Sequence, residues 1–220
     1  MDADLRWVHN GGMASLRDRK RARTRQALVE VAADLFERQG YDETTVAQIA
    51  AGAEIGTRTF FSYFPGKEHL VFPETDRRVH AALEAIDQRG PKDGPAEVLL
   101  RALRRVGDDS DDLSERLAAL RLRLIREVPA VQGLSLRIQL DAQRQIATHL
   151  AAAFPERLDE VRAAALTGAF VGAVTGALQV LLEREESRDD PAAVQRALQE
   201  AVDAALAPWF SGAGSDRSDH

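Results

Sequence analysis

The residues IGTRTFFSYFPGKEHL, Ile55 to Leu70, decide how this chain is read. Four aromatic side chains, Phe60, Phe61, Tyr63 and Phe64, fall within five positions of a chain whose aromatic content is only 5%. Read as a helix turning about 100° per residue, Thr57 to Phe64 has two distinct faces. Phe60 and Phe64 stand four apart on one face and are expected to point inward. Arg58 and Ser62, also four apart, share the opposite face, with Thr59, Phe61 and Tyr63 on its margins. Two rings thus anchor the helix, and two stand near its exposed rim. Pro65-Gly66 ends it, and Lys67 begins the next helix.

Working outward, nearly everything reads as helix. Upstream, Thr45-Val46-Ala47-Gln48 has the form of a capping box and opens a short helix to about Ala53. Glu54-Ile55-Gly56 makes the turn that follows. Before it, Leu28, Val31, Ala32, Leu35 and Phe36 recur at three and four residues, the stripe of an amphipathic helix from about Arg17 to Gln39. Gly40 is placed to terminate that helix. Downstream, the Lys67 helix runs to about Gln88. Loops at Arg89–Pro95 and Asp108–Asp112 then separate helices that begin at Pro95, Asp112 and Pro129. A long apolar helix spans Arg157–Glu186, and a last one begins at Pro191. No strand alternation or internal repeat is evident. A longer helix followed by two short ones around a tight turn is the pattern of a helix-turn-helix. The expected fold is all-α: a small three-helix unit over 15–66, a linking helix over 67–88 and a larger helical body over 89–210. Residues 1–14 are expected to be a disordered extension, with Met13 as an alternative start, and 211–220 a flexible tail.

The net charge of −6 taken alone argues against a nucleic-acid partner, but it is unevenly spread. Residues 1–69 hold 10 of the 29 basic and 10 of the 35 acidic side chains, so the negative surplus lies beyond them. Arg17, Arg19, Lys20, Arg21, Arg23 and Arg25 crowd one stretch against a single Asp18. A locally basic unit on an acidic body is expected to attract a polyanion through its head. Cysteine is absent, which removes disulfides and thiolate chemistry and suits a reducing, cytoplasmic setting. The acidic start MDADLRWVHN has no apolar run of the kind a secretory signal needs.

The outer face of the Thr57 helix carries the chemistry of a major-groove reader. Arg58 can grip guanine O6 and N7 in a fork, Thr59 and Ser62 can bond base edges or phosphates, and the edge of Phe61 or Tyr63 can meet a thymine methyl. Lys67 and the Thr45 cap, each at a helix N-terminus, suit phosphates. The whole segment ALVEVAADLFERQGYDETTVAQIAAGAEIGTRTFFSYFPGKEHL, Ala27 to Leu70, resembles the DNA-binding domain of the TetR family of bacterial regulators. The likeness rests on ADLFERQGY, TTV-x-x-IA and YFPGKEHL, and covers about the first third of the chain. It implies a homodimer, a palindromic double-stranded operator and a small-molecule effector in the body that changes operator affinity, usually releasing it. Carried over by position, the DNA-facing set is Thr45, Thr57, Arg58, Thr59, Phe61, Ser62, Tyr63 and Lys67. Gly56 departs from the family, which often has Ser as the cap there.

In the body, AAALTGAFVGAVTGALQVLL (Ala163–Leu182) has the length of a membrane span. Its Ala, Gly and Thr gain little from lipid, and Gln179 interrupts it, so no membrane partner is expected. Gly168, Gly172 and Gly176 recur every four residues and permit close helix approach. With the stripe Val194, Leu198, Val202 and Leu206 of the last helix, they predict a four-helix dimer interface. Such a two-fold dimer places two reading helices roughly 34–36 Å apart, one turn of DNA. Leu103, Leu120, Leu124, Ile138, His149 and Phe170 are the candidates to line an effector pocket, with Arg137, Gln139 and Asp141 as polar partners. His69, His80 and His149 are not spaced as a metal cluster, and the Asp108–Asp112 loop lacks the Gly and final Glu of a calcium loop. No cofactor, metal or catalytic group is expected. The readings set against a ligand-released repressor are an activator, an architectural DNA binder, and a helical-bundle enzyme using the head as an interaction module. No nucleophile–base pair or phosphate loop supports the enzyme.

Overall fold

The computed structural model describes residues 16–73, 75–108, 112–181 and 191–210. The expected N-terminal extension and C-terminal tail, positions 109–111 of the acidic loop and the stretch 182–186 of the long helix lie outside the described residues. Among the described residues the regular structure is helical, in nine α-helices and one 3-10 turn. The chain divides into two compact units, Met1–Leu70 and Val71–His220.

The first unit holds α1 (Leu16–Gln39), α2 (Val46–Gly52) and α3 (Thr57–Phe60). Leu28, Val29, Ala32, Ala33 and Phe36 of α1 are buried, whereas Val31 and Leu35 of the expected stripe are half-covered. The buried arc is wider than the stripe, and α2 presses close on its flank. A Cβ added at Gly52 would lie 2.6 Å from Val31 Cγ1, so any larger residue there would push Val31 aside. Gly40 ends α1 at φ +88°, the left-handed region that glycine enters without strain. The capping box is present: Thr45 Oγ1 accepts from the Gln48 N–H, and Gln48 Oε1 accepts from the Thr45 N–H at 2.8 Å. The third helix is shorter than its aromatic pattern predicts. After Phe60 the bonds tighten to Ser62 N–H on Thr59 O and Tyr63 N–H on Phe60 O, so the α-helix gives way to turns before Pro65.

The expected helix from Lys67 to Gln88 is divided. Lys67–Val71 forms a 3-10 turn, and α4 begins only at Thr75. Pro73 explains the break, because it removes an N–H and turns Phe72 away from helical geometry. The second unit contains α4 (Thr75–Asp87), α5 (Pro95–Asp108), α6 (Asp112–Glu127), α7 (Pro129–Ala153), α8 (Glu160–Leu181) and α9 (Pro191–Phe210). Asp159 caps α8, its Oδ1 accepting the Arg162 N–H at 2.7 Å, so the helix begins at Glu160, three residues beyond the expected Arg157. Ile86, Leu99, Leu150, Leu166 and Val202 bring α4, α5, α7, α8 and α9 into one core. At the bend between α4 and α5, Asp93 accepts from the Gly90 N–H and from Arg101, which hold its carboxyl below the usual range. By length and composition α8 passes as a membrane span, but here Leu166 and Phe170 seat it in the core of this unit.

Candidate nucleic-acid interface and effector cleft

A four-residue helix has almost no intrinsic stability, so the geometry of α3 comes from its anchors. Phe60 is fully buried and Phe64 nearly so. Their rings lie 6.1 Å apart, and Phe61 meets Phe60 edge-on at 5.3 Å. With those two rings fixed inward, Thr57, Arg58, Thr59, Phe61 and Ser62 stand exposed and Tyr63 is half-covered. Phe61 is 57% exposed, a large apolar group left in water. Arg58 forms no ion pair among the described residues. Ser62 already donates its hydroxyl to Thr59 O at 2.6 Å, leaving its oxygen as an acceptor. Gly56 caps α3 with backbone alone, and a Cβ there would meet nothing within 4 Å.

Two residues of the expected DNA-facing set have other work. Thr45 is exposed, but its hydroxyl is occupied by the capping box. Lys67 is turned inward: its Nζ donates to Tyr41 O at 2.6 Å and Thr44 O at 2.8 Å, and lies 4.2 Å from the centre of the Tyr41 ring. Burial, helped by the charges of Glu68 and Asp42, pushes the Tyr41 hydroxyl up to about 12, so the ring under the ammonium stays neutral. In this structure Lys67 thereby braces the turn that leads into α2. Its removal leaves two carbonyls without their charged donor. Lys67→Ala is expected to cost the first unit about 1.5–3 kcal/mol in urea denaturation. An unchanged midpoint, with binding weakened on every duplex alike, would return Lys67 to the phosphate role.

The structure also recruits residues that the sequence reading treated only as bulk charge. Arg21 donates to Ser62 O at 3.3 Å and lies over the Tyr63 ring at 5.0 Å. Arg25 donates to Tyr63 O at 3.3 Å and lies over the Phe64 ring at 4.3 Å. A signal was present: Arg21, Arg25, Leu28 and Ala32 follow one another at four, three and four residues, the same face of α1.

In the second unit a cleft of about 340 Å³ opens between α4 and α7, lined by Val79, His80, Leu83, Ile138, Asp141, Ala142 and Gln145. Of the expected pocket residues, Ile138 lies there, and so does Asp141 from the polar set. Leu103 and Phe170 are packed in the core of the unit. Leu120 and Leu124 are buried on α6 and line no part of this cleft. His149 instead binds Asp87 Oδ1 at 2.7 Å, tying the end of α7 to the end of α4. The dimer stripe needs a similar correction. Leu198, Val202 and Leu206 are buried in the subunit's own core and Val194 packs against it, so they are not a free face. The glycines differ: a Cβ at Gly168, Gly172 or Gly176 would meet nothing within 4 Å. That side of α8, with exposed Val161 and Val180, is open, as are Ala201, Ala204 and Ala205 on α9.

Residues 28–72 match the bacterial regulatory proteins of the tetR family, and residues 93–207 match the MftR C-terminal domain. The HTH-type transcriptional regulator TcmR of Streptomyces glaucescens is 33% identical over 150 residues, 66% of each chain. MftR of Mycobacterium tuberculosis (strain ATCC 25618 / H37Rv) is 26% identical over 204 residues, 90% of this chain and 94% of that one. The fold is that of Thermus thermophilus FadR, a repressor solved with lauroyl-CoA, at a TM-score of 0.57 and 18% identity over 89% of this chain and 98% of that one.

Proposed function

The chain belongs to the tetR family of bacterial regulatory proteins and is a DNA-binding transcriptional regulator; from that premise we propose that it is a homodimeric repressor released from a palindromic operator by a small molecule. The observation that carries the operator reading is the one-turn α3, pinned by Phe60 and Phe64 with Thr57, Arg58, Thr59, Phe61 and Ser62 outward. Arg58 reads a base edge, Phe61 meets a thymine methyl, and the hydroxyls and half-covered Tyr63 fix the helix on the backbone. Arg58→Ala is expected to lose about 1–3 kcal/mol on a selected duplex and to relax choice at one base position. Equal losses on selected and scrambled duplexes would remove Arg58 from base reading.

The effector binds in the α4–α7 cleft, whose volume is at the small end for a ligand site. Val79, Leu83, Ile138 and Ala142 offer apolar walls, while Asp141 and Gln145 offer polar groups to orient a ligand. Dimerisation uses the open small-residue face of α8 with the outward alanines of α9, in place of the buried Leu198–Leu206 stripe. The protein works in the cytoplasm as a binding switch and performs no reaction of its own. Recovery of genomic fragments bound by the protein, followed by a compound screen for their release, tests the whole reading. Fragments that share no palindrome, or that no compound releases, would contradict it.

A further inference from the structure

We propose that Arg21 and Arg25 act as positioning residues for operator recognition, gripping the exit of α3 instead of neutralising phosphate. The inference rests on the reading face assigned above and adds what holds that face in place. The two contacts repeat one pattern with a shift of one residue. Arg21 bonds the carbonyl of Ser62 and covers the ring of Tyr63, and Arg25 bonds the carbonyl of Tyr63 and covers the ring of Phe64. Successive turns of α1 therefore hold successive residues of the chain just past α3. The need is physical. The carbonyls of Thr57, Thr59 and Phe60 accept from backbone N–H groups, whereas those of Ser62 and Tyr63 lie past the last helical residue, where the chain has passed from α-helix into turns. Guanidinium groups suit that end of a helix, because the carbonyls there carry partial negative charge. A guanidinium is also flat, so it can bond a carbonyl in its plane while its face rests on a ring, which an ammonium cannot do. Ser62 and Tyr63 belong to the reading face, so whatever fixes their backbone fixes the aim of their side chains. Phe60 and Phe64 set which side of α3 faces out, and the two arginines set how its far end is presented.

Removing a phosphate contact and removing a positioning contact leave different traces. A phosphate contact contributes to every duplex equally and to the salt dependence, whereas a positioning contact contributes to discrimination. The test uses the full-length protein, a duplex recovered by repeated selection from a randomised pool on the parent protein, and a scrambled duplex of equal length. Arg21→Ala is expected to weaken binding of the selected duplex about tenfold, while binding of the scrambled duplex and its salt slope stay as in the parent. Equal losses on both duplexes, with the salt slope shallower by about 0.9, would make Arg21 an ordinary phosphate contact and overturn the proposal. Loss on neither duplex would overturn it as well. Arg21→Lys keeps the charge that a phosphate meets and removes the flat group, so it guards against an Ala variant that fails to fold. A reduced ratio of selected to scrambled affinity in Arg21→Lys, at a temperature where circular dichroism shows the parent helix content, supports positioning. A parent-like ratio overturns it. Arg58→Ala measured alongside separates the two layers. If it leaves the ratio unchanged, the reading face is misassigned and the positioning role falls with it. If it lowers the ratio while both Arg21 variants leave it intact, only the positioning role falls.

Discussion

Phe60→Ala is expected to lower the stability of the first unit by about 3–5 kcal/mol, the range for truncating a fully buried Phe. Phe60 has no exposed surface and touches two other rings, so its loss opens a void that Phe61 and Phe64 cannot both fill. The consequence exceeds the lost area, because α3 is one turn long and too short to persist without its anchors. A domain with a net stability of about 5–15 kcal/mol is brought close to unfolding by such a change. Urea denaturation followed by circular dichroism measures it. Phe61→Ala is the matched control, since that ring is 57% exposed and its removal leaves little void. The contrast between neighbouring phenylalanines is the content of the prediction. Similar midpoints for both variants would mean that the helix is rotated from the orientation on which base reading depends.

The second large effect concerns association. Gly172→Glu is expected to leave the subunit folded and to weaken the dimer by about 3 kcal/mol or more, over a hundredfold in Kd. A Cβ at Gly172 meets nothing within 4 Å in the subunit and the position is exposed, so a longer side chain can extend into solvent. Replacing a mid-helix glycine also removes a conformational-entropy penalty of about 0.5–1 kcal/mol. In the proposed two-fold interface the same carboxylate is taken out of water against the partner. Sedimentation equilibrium is expected to report a monomer, circular dichroism a helix content like the parent's, and a duplex-binding assay the loss of operator binding. A dimer of parent affinity would place the interface on another face.

The contacts of Lys67 and of the α9 stripe share a cause. Lys67 follows Pro-Gly at what reads as a helix start, the ordinary setting of a phosphate-binding lysine. Its acceptors, the carbonyls of Tyr41 and Thr44, lie more than twenty residues earlier and belong to a turn whose shape the sequence does not announce. The α9 stripe was legible as apolar, with Leu198, Val202 and Leu206 at helical spacing. Periodicity shows that a face must be covered, but the cover proves to be α5 and α8 of the same chain and not a partner. Phe170 and Leu103 differ from Ile138 only in what surrounds them, which is why a list of apolar residues could not separate core from cleft.

By itself the sequence determined the order of the helices apart from the break between Lys67 and Thr75, the caps at Thr45 and Gly40, and which rings of the aromatic cluster point inward. These follow from spacing and from the conformational limits of a few residue types, both of which act over fewer than about five positions. Tertiary structure decided that Arg21 and Arg25 grip the end of α3, that Lys67 turns toward Tyr41, and that the glycine face of α8 is left open while the leucine face of α9 is closed. Each of those outcomes depends on which distant segment arrives at a given surface, and a charge or an apolar group takes its role from the neighbour it finds there.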